Sequence, residues 1–361
     1  MANPILKRAE LGIRRLFLRG LRLLGRAHRS ADYTSVSALG PAPSILLLRQ
    51  DRLGDVLMST FVLRVLRARF PNSRIGLLLG KNNVQVLPLL PIDCDIFIYR
   101  KSFFKDIATL GTIRKQKFDI AIDLTDKASV TSSLLLSLIR AKLTIGVEKE
   151  NSVVYDITVP RPSQTEVHIT ERVAELLRPL GIDPAMVDKR PALRVNGLHG
   201  QQRRQGLVGL NVSSRTAERS APPQASAEIA RGVLAMGFPE VLVFAAPHDR
   251  ARGEETVRLA ADSRVHLASH VPTFVEFAEQ VATCEYLVTV DTSIIQIAAA
   301  VGIPMVLMFK PMYDEHPWTP VGVPFEFYTQ YPALSALEPE PVLELFSRLI
   351  GIYTKMMNDE C

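Results

Sequence analysis

After a loop containing Pro41 and Pro43, short unbroken apolar runs alternate with longer segments of helical periodicity. The runs 45–48, 75–79, 96–99, 118–124 and 143–147 are rich in Ile, Leu and Val and carry no polar alternation, the pattern of parallel strands buried on both faces. Helices are predicted between them over 56–69, 103–115 and 128–141. A second series starts near residue 205, with strands at 207–212, 241–245, 265–268, 286–290 and 305–309, and helices near 224–236, 250–262, 274–283 and 293–301. Between the series, Pro184, Pro191, Gly197, Gly200 and a run of Gln and Arg interrupt the pattern from Gly181 to Gln205. Two βα series of this length predict an α/β chain of two doubly wound, Rossmann-like parallel-sheet domains facing a central cleft. The expected limits are an arm at 1–40, domains at 41–185 and 186–335, and a C-terminal helix at 336–361. In such sheets ligands lie beyond the carboxyl ends of the strands, so the loops after strands are where chemistry is sought.

Residues 6–26 have a different pattern. On a helical wheel Leu6, Ile13, Phe17, Leu21 and Leu24 fall within about 40° of one direction, and Arg8, Arg15, Arg19, Arg22 and Arg26 within about 40° of the opposite one. This amphipathic helix with a guanidinium face suits an anionic membrane surface. Packing against the chain's own body and a mitochondrial transit peptide are the competing readings. A secretory signal is disfavoured because Arg14, Arg15, Arg19 and Arg22 break up the apolar stretch.

Charge sharpens this division. The 361 residues carry 43 Lys and Arg against 37 Asp and Glu, but eight of those cations and a single acid lie in residues 1–30. The remainder is close to neutral, which argues against wrapping a nucleic acid. Hydrophobic content of 47% with 22% charged residues is that of a packed chain, and no apolar run is long enough to span a bilayer. Cys94, Cys284 and Cys361 are far apart with no C-x-x-C, as expected of reduced thiols in a cytosolic protein. The seven histidines show no metal-ligand spacing, Asp93-Cys94-Asp95 precedes a strand and reads as a turn, and no metal or cofactor is expected.

Four loops carry candidate chemistry. The first strand leads into Arg49-Gln50-Asp51-Arg52-Leu53-Gly54-Asp55. Gly54 permits close backbone approach, and Asp55 either takes a proton from an attacking hydroxyl or caps the helix that follows. In the second series Ser213, Ser214 and Arg219 form a strand-to-helix turn suited to a diphosphate, or a polar turn without a ligand. Asp291, Thr292 and Ser293 open a helix and are placed to hold phosphate or sugar hydroxyls, or only to cap. Asp249 is placed for a ribose diol, with surface capping as the alternative. No Walker loop, G-x-G-x-x-G or G-x-S-x-G elbow is present, which disfavours a dehydrogenase or a serine hydrolase.

Taken in order, these motifs resemble the heptosyltransferases of glycosyltransferase family 9. The resemblance is carried by R-x-x-x-L-G-D at Arg49 to Asp55, the helix ending Arg67-Ala68-Arg69-Phe70-Pro71, and Phe118-Asp119-Ile120-Ala121-Ile122-Asp123-Leu124. It continues in Ala245-Ala246-Pro247-His248-Asp249, Asp291-Thr292-Ser293 through Pro304, Met308-Phe309-Lys310-Pro311 and Trp318-Thr319-Pro320. It implies a GT-B fold with an acceptor-side first domain and a nucleotide-sugar-binding second domain. The implied reaction is metal-independent, inverting transfer of heptose from ADP-heptose to a lipopolysaccharide-core, lipid-linked acceptor at the inner face of the bacterial inner membrane. By the same resemblance Asp55 is the general base, Ser213, Ser214 and Arg219 hold the diphosphate, and Asp249 takes the ribose. Asp291, Thr292 and Ser293, with Gln296, lie at the phosphate and heptose. Where relatives show D-[ST]-G-x-x-H, this chain has Ser293 for the Gly and Gln296 for the His. Two further readings stand beside it: a family 9-like transferase using another nucleotide sugar for a surface glycan, and a catalytically silent membrane-bound relative.

Overall fold

The structure is a computed structural model that describes residue 20 and residues 31–163, 166–195, 203–309, 318–330 and 333–359. The amphipathic helix expected in the arm therefore lies outside the described residues, as do Lys310, Pro311 and Cys361. The chain divides into two units, Met1–Val84 with Ile92–Lys189 and Gln85–Pro91 with Arg190–Cys361.

Unit 1 opens with helix α1 (Tyr33–Ser37), capped by Asp32, whose carboxylate accepts from Ser35 N at 3.2 Å. Then follow β1 (Ile45–Arg49), α2 (Leu53–Met58), α3 (Thr60–Arg69), β2 (Ile75–Gly80), a 3-10 stretch Lys81–Leu89, β3 (Asp95–Tyr99) and α4 (Phe103–Gln116). The unit continues with β4 (Ile120–Asp123), α5 (Val130–Ile139), β5 (Leu143–Val147), β6 (Ile157–Val159) and α6 (Ile169–Ala174). Its six strands are all parallel in the order β3-β2-β1-β4-β5-β6. All five residues of β1 are buried, because helices cover both faces of a parallel sheet. Leu46 and Leu48 join Phe97, Phe118, Leu135, Ile139 and Tyr155 in one cluster, while Ile45 and Leu47, pointing the other way, are equally inaccessible.

Unit 2 repeats the plan. It contains β7 (Leu207–Asn211), α7 (Pro223–Ala235), β8 (Glu240–Phe244), α8 (Arg250–Ala260), β9 (Val265–Leu267) and α9 (Phe274–Ala282). After these come β10 (Tyr286–Val290), α10 (Ile294–Ala300), β11 (Met305–Phe309), β12 (Phe325–Thr329) and α11 (Pro339–Asp359). The strand order β12-β11-β10-β7-β8-β9, again all parallel, is that of unit 1 renumbered. Helix α11 buries Val342, Phe346 and Leu349, and the Phe346 ring lies 5.6 Å from that of Tyr286. Cys284 is also inside, and burial pushes its thiol up to about 12, so it is inert at neutral pH.

The α/β class and both doubly wound sheets follow the sequence pattern, but two strands were not anticipated. β6 is only three residues long with Thr158 exposed, and β12 alternates half-buried and exposed positions. Both lie at sheet edges, and unlike the edge strand β3 they lack the continuous apolar run by which a strand is read.

The interior of unit 1 contains one fully buried ion pair. Asp123, at the end of β4, accepts from Tyr155 Oη at 2.6 Å and Lys149 Nζ at 3.2 Å through Oδ2. Through Oδ1 it accepts from Thr125 N at 3.1 Å and Thr125 Oγ1 at 2.7 Å. The Lys149 and Asp123 side chains are 1% and 0% exposed. Burial pushes the Tyr155 phenol well above its ordinary range, and the charge of Asp123 adds to the effect. Removing one partner of such a pair strands the other charge, at a cost of about 3–5 kcal/mol. Lys149→Met should therefore lower the urea midpoint of the unit-1 transition by that order, and adding Asp123→Asn should restore part of the loss. Equal midpoints for Lys149→Met and the parent would show that the pair contributes nothing.

Candidate functional site

A 3-2-1-4 strand order reverses direction between its first and fourth strands, and crevices open there at the carboxyl ends. In unit 1 that point lies between β1 and β4 and in unit 2 between β7 and β10. The candidate residues concentrate at these two points, and each is described within its own unit.

In unit 1 the loop after β1 is organised by Arg49, whose side chain is 1% exposed. Its Nε donates to the Asp55 carbonyl at 3.1 Å and its Nη1 donates to the Leu124 carbonyl, so it ties the end of β1 to the end of β4. The same guanidinium faces two carboxylates, Asp51 Oδ2 at 3.3 Å from Nη1 and Asp55 Oδ1 at 4.0 Å from Nη2. Asp55 is buried at the third position of α2, and its Oδ2 accepts from Arg52 N at 3.0 Å. It therefore does cap the helix start, but with one oxygen. Oδ1 stays beyond hydrogen-bond distance of Arg49. Gly54 is the second helical residue of α2. The residue that requires glycine here is Gly80 at the end of β2, where a Cβ would meet the Gln50 carbonyl at 2.6 Å. A third of the Asp51 side chain still meets solvent. Loss of hydration nonetheless pushes its carboxyl up to about 6, with Asp55 and Asp123 adding to the shift and Arg49 opposing it.

In unit 2 the loop after β7 is held by hydroxyls. Ser213 Oγ accepts from Ala246 N at 2.6 Å, Ser214 N donates to Ser220 Oγ at 2.9 Å, and Ser214 Oγ donates to the Asp291 carbonyl at 3.4 Å. Arg219 Nη1 stands 3.4 Å from Asp291 Oδ2, and both side chains are about a quarter exposed. Asn211 Nδ2 donates to Thr289 Oγ1 at 3.0 Å and Thr292 Oγ1 at 3.3 Å, which joins the ends of β7 and β10. Ser293 precedes α10 without a side-chain cap bond, and Gln296 is buried in its first turn.

The structure thus links Ser214, Arg219 and Asp291 directly, while Ser213 bonds the loop after β8 through Ala246 N and Thr292 bonds Asn211. Asp249 joins them less directly. Its carboxylate pairs with Arg252 Nε at 2.7 Å, and Arg252 Nη1 donates to the Ala221 carbonyl at 3.0 Å, so the acceptor oxygens expected for a diol already have a cation. Sequence reasoning gave no role to Arg49, Asp51 and Asp123, although the motifs it quoted contain them, nor to Lys149, Asn211 and Arg252. A signal for two of them was present: Arg49 and Asp123 are charges that end otherwise apolar strands, Ile45–Arg49 and Ile120–Asp123. Among the described residues no group of three His, Cys, Asp or Glu could hold a metal ion, and no helix is long and apolar enough to cross a membrane.

Comparison with known proteins bears on what these groups do. The family model for glycosyltransferase family 9 (heptosyltransferase) matches residues 108–324, more than half of the chain. No curated protein matches. Among solved structures, a family 9 glycosyl transferase from Veillonella parvula superposes with a TM-score of 0.69 at 19% identity, covering 85% of this chain and 97% of that one. The ADP-heptose lipopolysaccharide heptosyltransferase II of E. coli gives 0.66 at 17% identity, covering 88% and 100%. E. coli heptosyltransferase WaaC with ADP gives 0.69 at 17%, covering 85% and 99%. At these identities the likeness is one of fold.

The raised Asp51 carboxyl has a consequence for stability. Its proton is bound more tightly in the folded chain than at the ordinary value of 3.8, so this stabilising contribution is complete below about 4 and is lost as pH rises through about 6. Asp51→Asn removes the charge, so the variant should match the parent near pH 4 and exceed it in urea midpoint near pH 7. A variant less stable than the parent at pH 7 would reverse the sign of this argument.

Proposed function

The chain belongs to glycosyltransferase family 9, and from that membership we propose that it transfers heptose from ADP-heptose to a lipid-linked, lipopolysaccharide-core acceptor by a metal-independent, inverting reaction. The observation that carries the mechanism is the state of Asp55. One carboxylate oxygen fixes the side chain to the helix start, and the other lies 4.0 Å from a buried guanidinium. That second oxygen takes the proton of the acceptor hydroxyl as the hydroxyl oxygen attacks the anomeric carbon. The bond from that carbon to the diphosphate oxygen breaks in the same step, and the electron pair leaves with ADP. Arg49 acts as a positioning residue, because its bond to the Asp55 carbonyl holds the first turn of α2 in place.

On the donor side, Ser213, Ser214 and Arg219 hold the diphosphate, while Asp291, Thr292, Ser293 and Gln296 contact phosphate and heptose. A guanidinium and aligned N–H groups offset the charge that develops on the leaving diphosphate. Arg219 is tethered to Asp291 at 3.4 Å, so the cation is already oriented before donor arrives. Asp249 reaches a ribose diol only if Arg252 shares it, which makes Arg252 part of the same subsite. The ADP held by E. coli heptosyltransferase WaaC supports an adenine nucleotide as donor. A family member using another nucleotide sugar is favoured by one feature of this chain, Ser293 and Gln296 at positions where relatives have Gly and His. The lipid-linked acceptor puts the enzyme on the inner face of the bacterial inner membrane, held there by the basic arm of residues 1–30.

Two measurements test this reading. Asp55→Asn keeps the oxygen that accepts from Arg52 N and loses the base, so transfer should fall about 10²–10⁴-fold with donor binding unchanged. Wild-type transfer by that variant would remove Asp55 from the chemistry. In a thermal-shift screen of ADP-, GDP-, UDP- and dTDP-sugars, ADP-heptose should raise the melting temperature most. Preference for a non-adenine nucleotide would sink the donor assignment, and no response or transfer with any of them would favour the catalytically silent relative.

A further inference from the structure

Helix α4 carries an apolar tip that the fold does not use. Phe103 and Phe104, in its first turn, are 75% and 82% exposed, and Ile107, one turn on, is 52% exposed. The two rings pack on each other edge to face, with centroids 5.5 Å apart. Helix α5 packs against α4 and shows Val130, Leu134 and Leu138 at four-residue spacing, each more than a third exposed. Large side chains gathered in this way on a surface mark a contact site.

The charges around the tip identify the partner. Arg100, Lys101 and Lys105 flank the rings and are exposed. Asp106 is the one acid between Ile96 and Phe118, a stretch with six cations, and its carboxylate accepts from Arg100 N and Ser102 N at 2.7 Å each. Its charge is thus spent on fixing the turn. Lys101 adopts a left-handed backbone, φ 56°, which an L-residue adopts only when its surroundings impose it. The turn that projects Phe103 and Phe104 is therefore set by the folded chain. The two rings bury about 150–250 Å² each and Ile107, Val130, Leu134 and Leu138 are only partly exposed, so the patch falls short of the roughly 800 Å² per partner of a stable protein interface, and Lys is depleted from such interfaces. Aromatic rings ringed by Lys and Arg suit the headgroup boundary of a bilayer.

We propose that the tip of α4 is a docking surface for an anionic lipid bilayer, with Phe103 and Phe104 entering the boundary between headgroups and acyl chains while Arg100, Lys101 and Lys105 engage lipid phosphates. Helices α4 and α5 both start at the carboxyl edge of the parallel sheet, the edge that also carries Asp55. Docking there brings the membrane to the side of unit 1 where a lipid-linked acceptor is needed. The purpose of the contact rests on the proposed function, but its test does not.

The full-length chain is sedimented with phosphatidylglycerol-containing vesicles and with pure phosphatidylcholine vesicles. Binding to the anionic vesicles is expected, and Phe103→Ser with Phe104→Ser should weaken it roughly tenfold or more. Arg100→Ser with Lys101→Ser and Lys105→Ser should also weaken it, with a smaller effect at high salt. Because the rings are exposed, the Phe variant should keep its melting temperature, its donor shift and its transfer to a soluble acceptor fragment. Three outcomes overturn the proposal: no binding of anionic vesicles by the parent, binding unchanged in the Phe variant but lost when Arg15, Arg19 and Arg22 of the arm become Ser, or a dimer that the Phe variant converts to monomer. Absence of transfer with every nucleotide sugar would count against the proposed function and leave the vesicle result readable.

Discussion

A guanidinium buried at the end of a parallel strand must have acceptors on several sides, and in unit 1 that requirement decides where the loop after β1 runs. Arg49 is 1% exposed. Leaving it unpaired costs several kcal/mol, so the Asp55 and Leu124 carbonyls and the carboxylates of Asp51 and Asp55 close around it. These contacts tie the start of α2 and the Asp55 carboxylate to the ends of β1 and β4, while Arg49 Nη2 is left with the Asp55 carboxylate at 4.0 Å and no hydrogen bond. Asp123 and Lys149 meet the same requirement from the other side of β4. Two buried cations thus sit among three carboxylates, of which Asp55 and Asp123 are buried and Asp51 is a third exposed. Loss of hydration raises the Asp51 carboxyl to about 6, and the surplus of acid adds to that shift.

The two units have one topology and different chemistry. At the switch point of unit 1 the strand ends carry buried ions, whereas at that of unit 2 they carry hydroxyls, an amide and a half-buried ion pair, Arg219 with Asp291. The difference suits the two halves of a transfer reaction. Removing a proton calls for a carboxylate with a controlled environment. Holding a diphosphate calls for neutral donors and a cation that can exchange one anion for another, which suits a pair at 3.4 Å with solvent access on both sides. Asn211 and Thr292 connect β7 to β10 much as Arg49 connects β1 to β4, but with neutral groups.

Of the twelve strands among the described residues ten were legible in the sequence as largely apolar runs, and β1, Ile-Leu-Leu-Leu-Arg, is the clearest case. β6 and β12 were not, since β6 has three residues with Thr158 exposed and β12 carries Glu326 and Thr329 among its aromatics, whereas the edge strand β3 keeps an apolar run. The carboxyl-end loops pointed to Asp55, Ser213, Ser214, Arg219 and Asp291 by position, and the structure links Ser214, Arg219 and Asp291 to one another. What the linear chain could not show is pairing across strands. Nothing in the spacing of Asp249 reveals that Arg252 holds it, and nothing in that of Asp51 reveals the burial that shifts it. For Arg49 and Asp123 a clue existed: a charge inside an apolar strand has to be neutralised somewhere nearby, and a search for the neutralising partner leads to the site.

Charge, taken over the whole chain, is a poor guide to this protein's surroundings. Lys and Arg exceed Asp and Glu by a margin that the arm alone more than accounts for, yet the segment from Arg100 to Lys117 carries six cations and one acid within a body that is close to neutral overall. That acid, Asp106, is occupied in a turn. Fields that are screened within about 8–10 Å act locally, so a bilayer responds to the Arg100–Lys105 cluster and not to the sum over 361 residues. Among the described residues the cluster adjoins the two most exposed aromatic rings of the unit that carries Asp55. Cations bring an anionic surface close without holding it, while buried apolar area holds without long-range attraction. The proposed docking to a bilayer needs both, and the turn before α4 together with its first turn offers the two side by side.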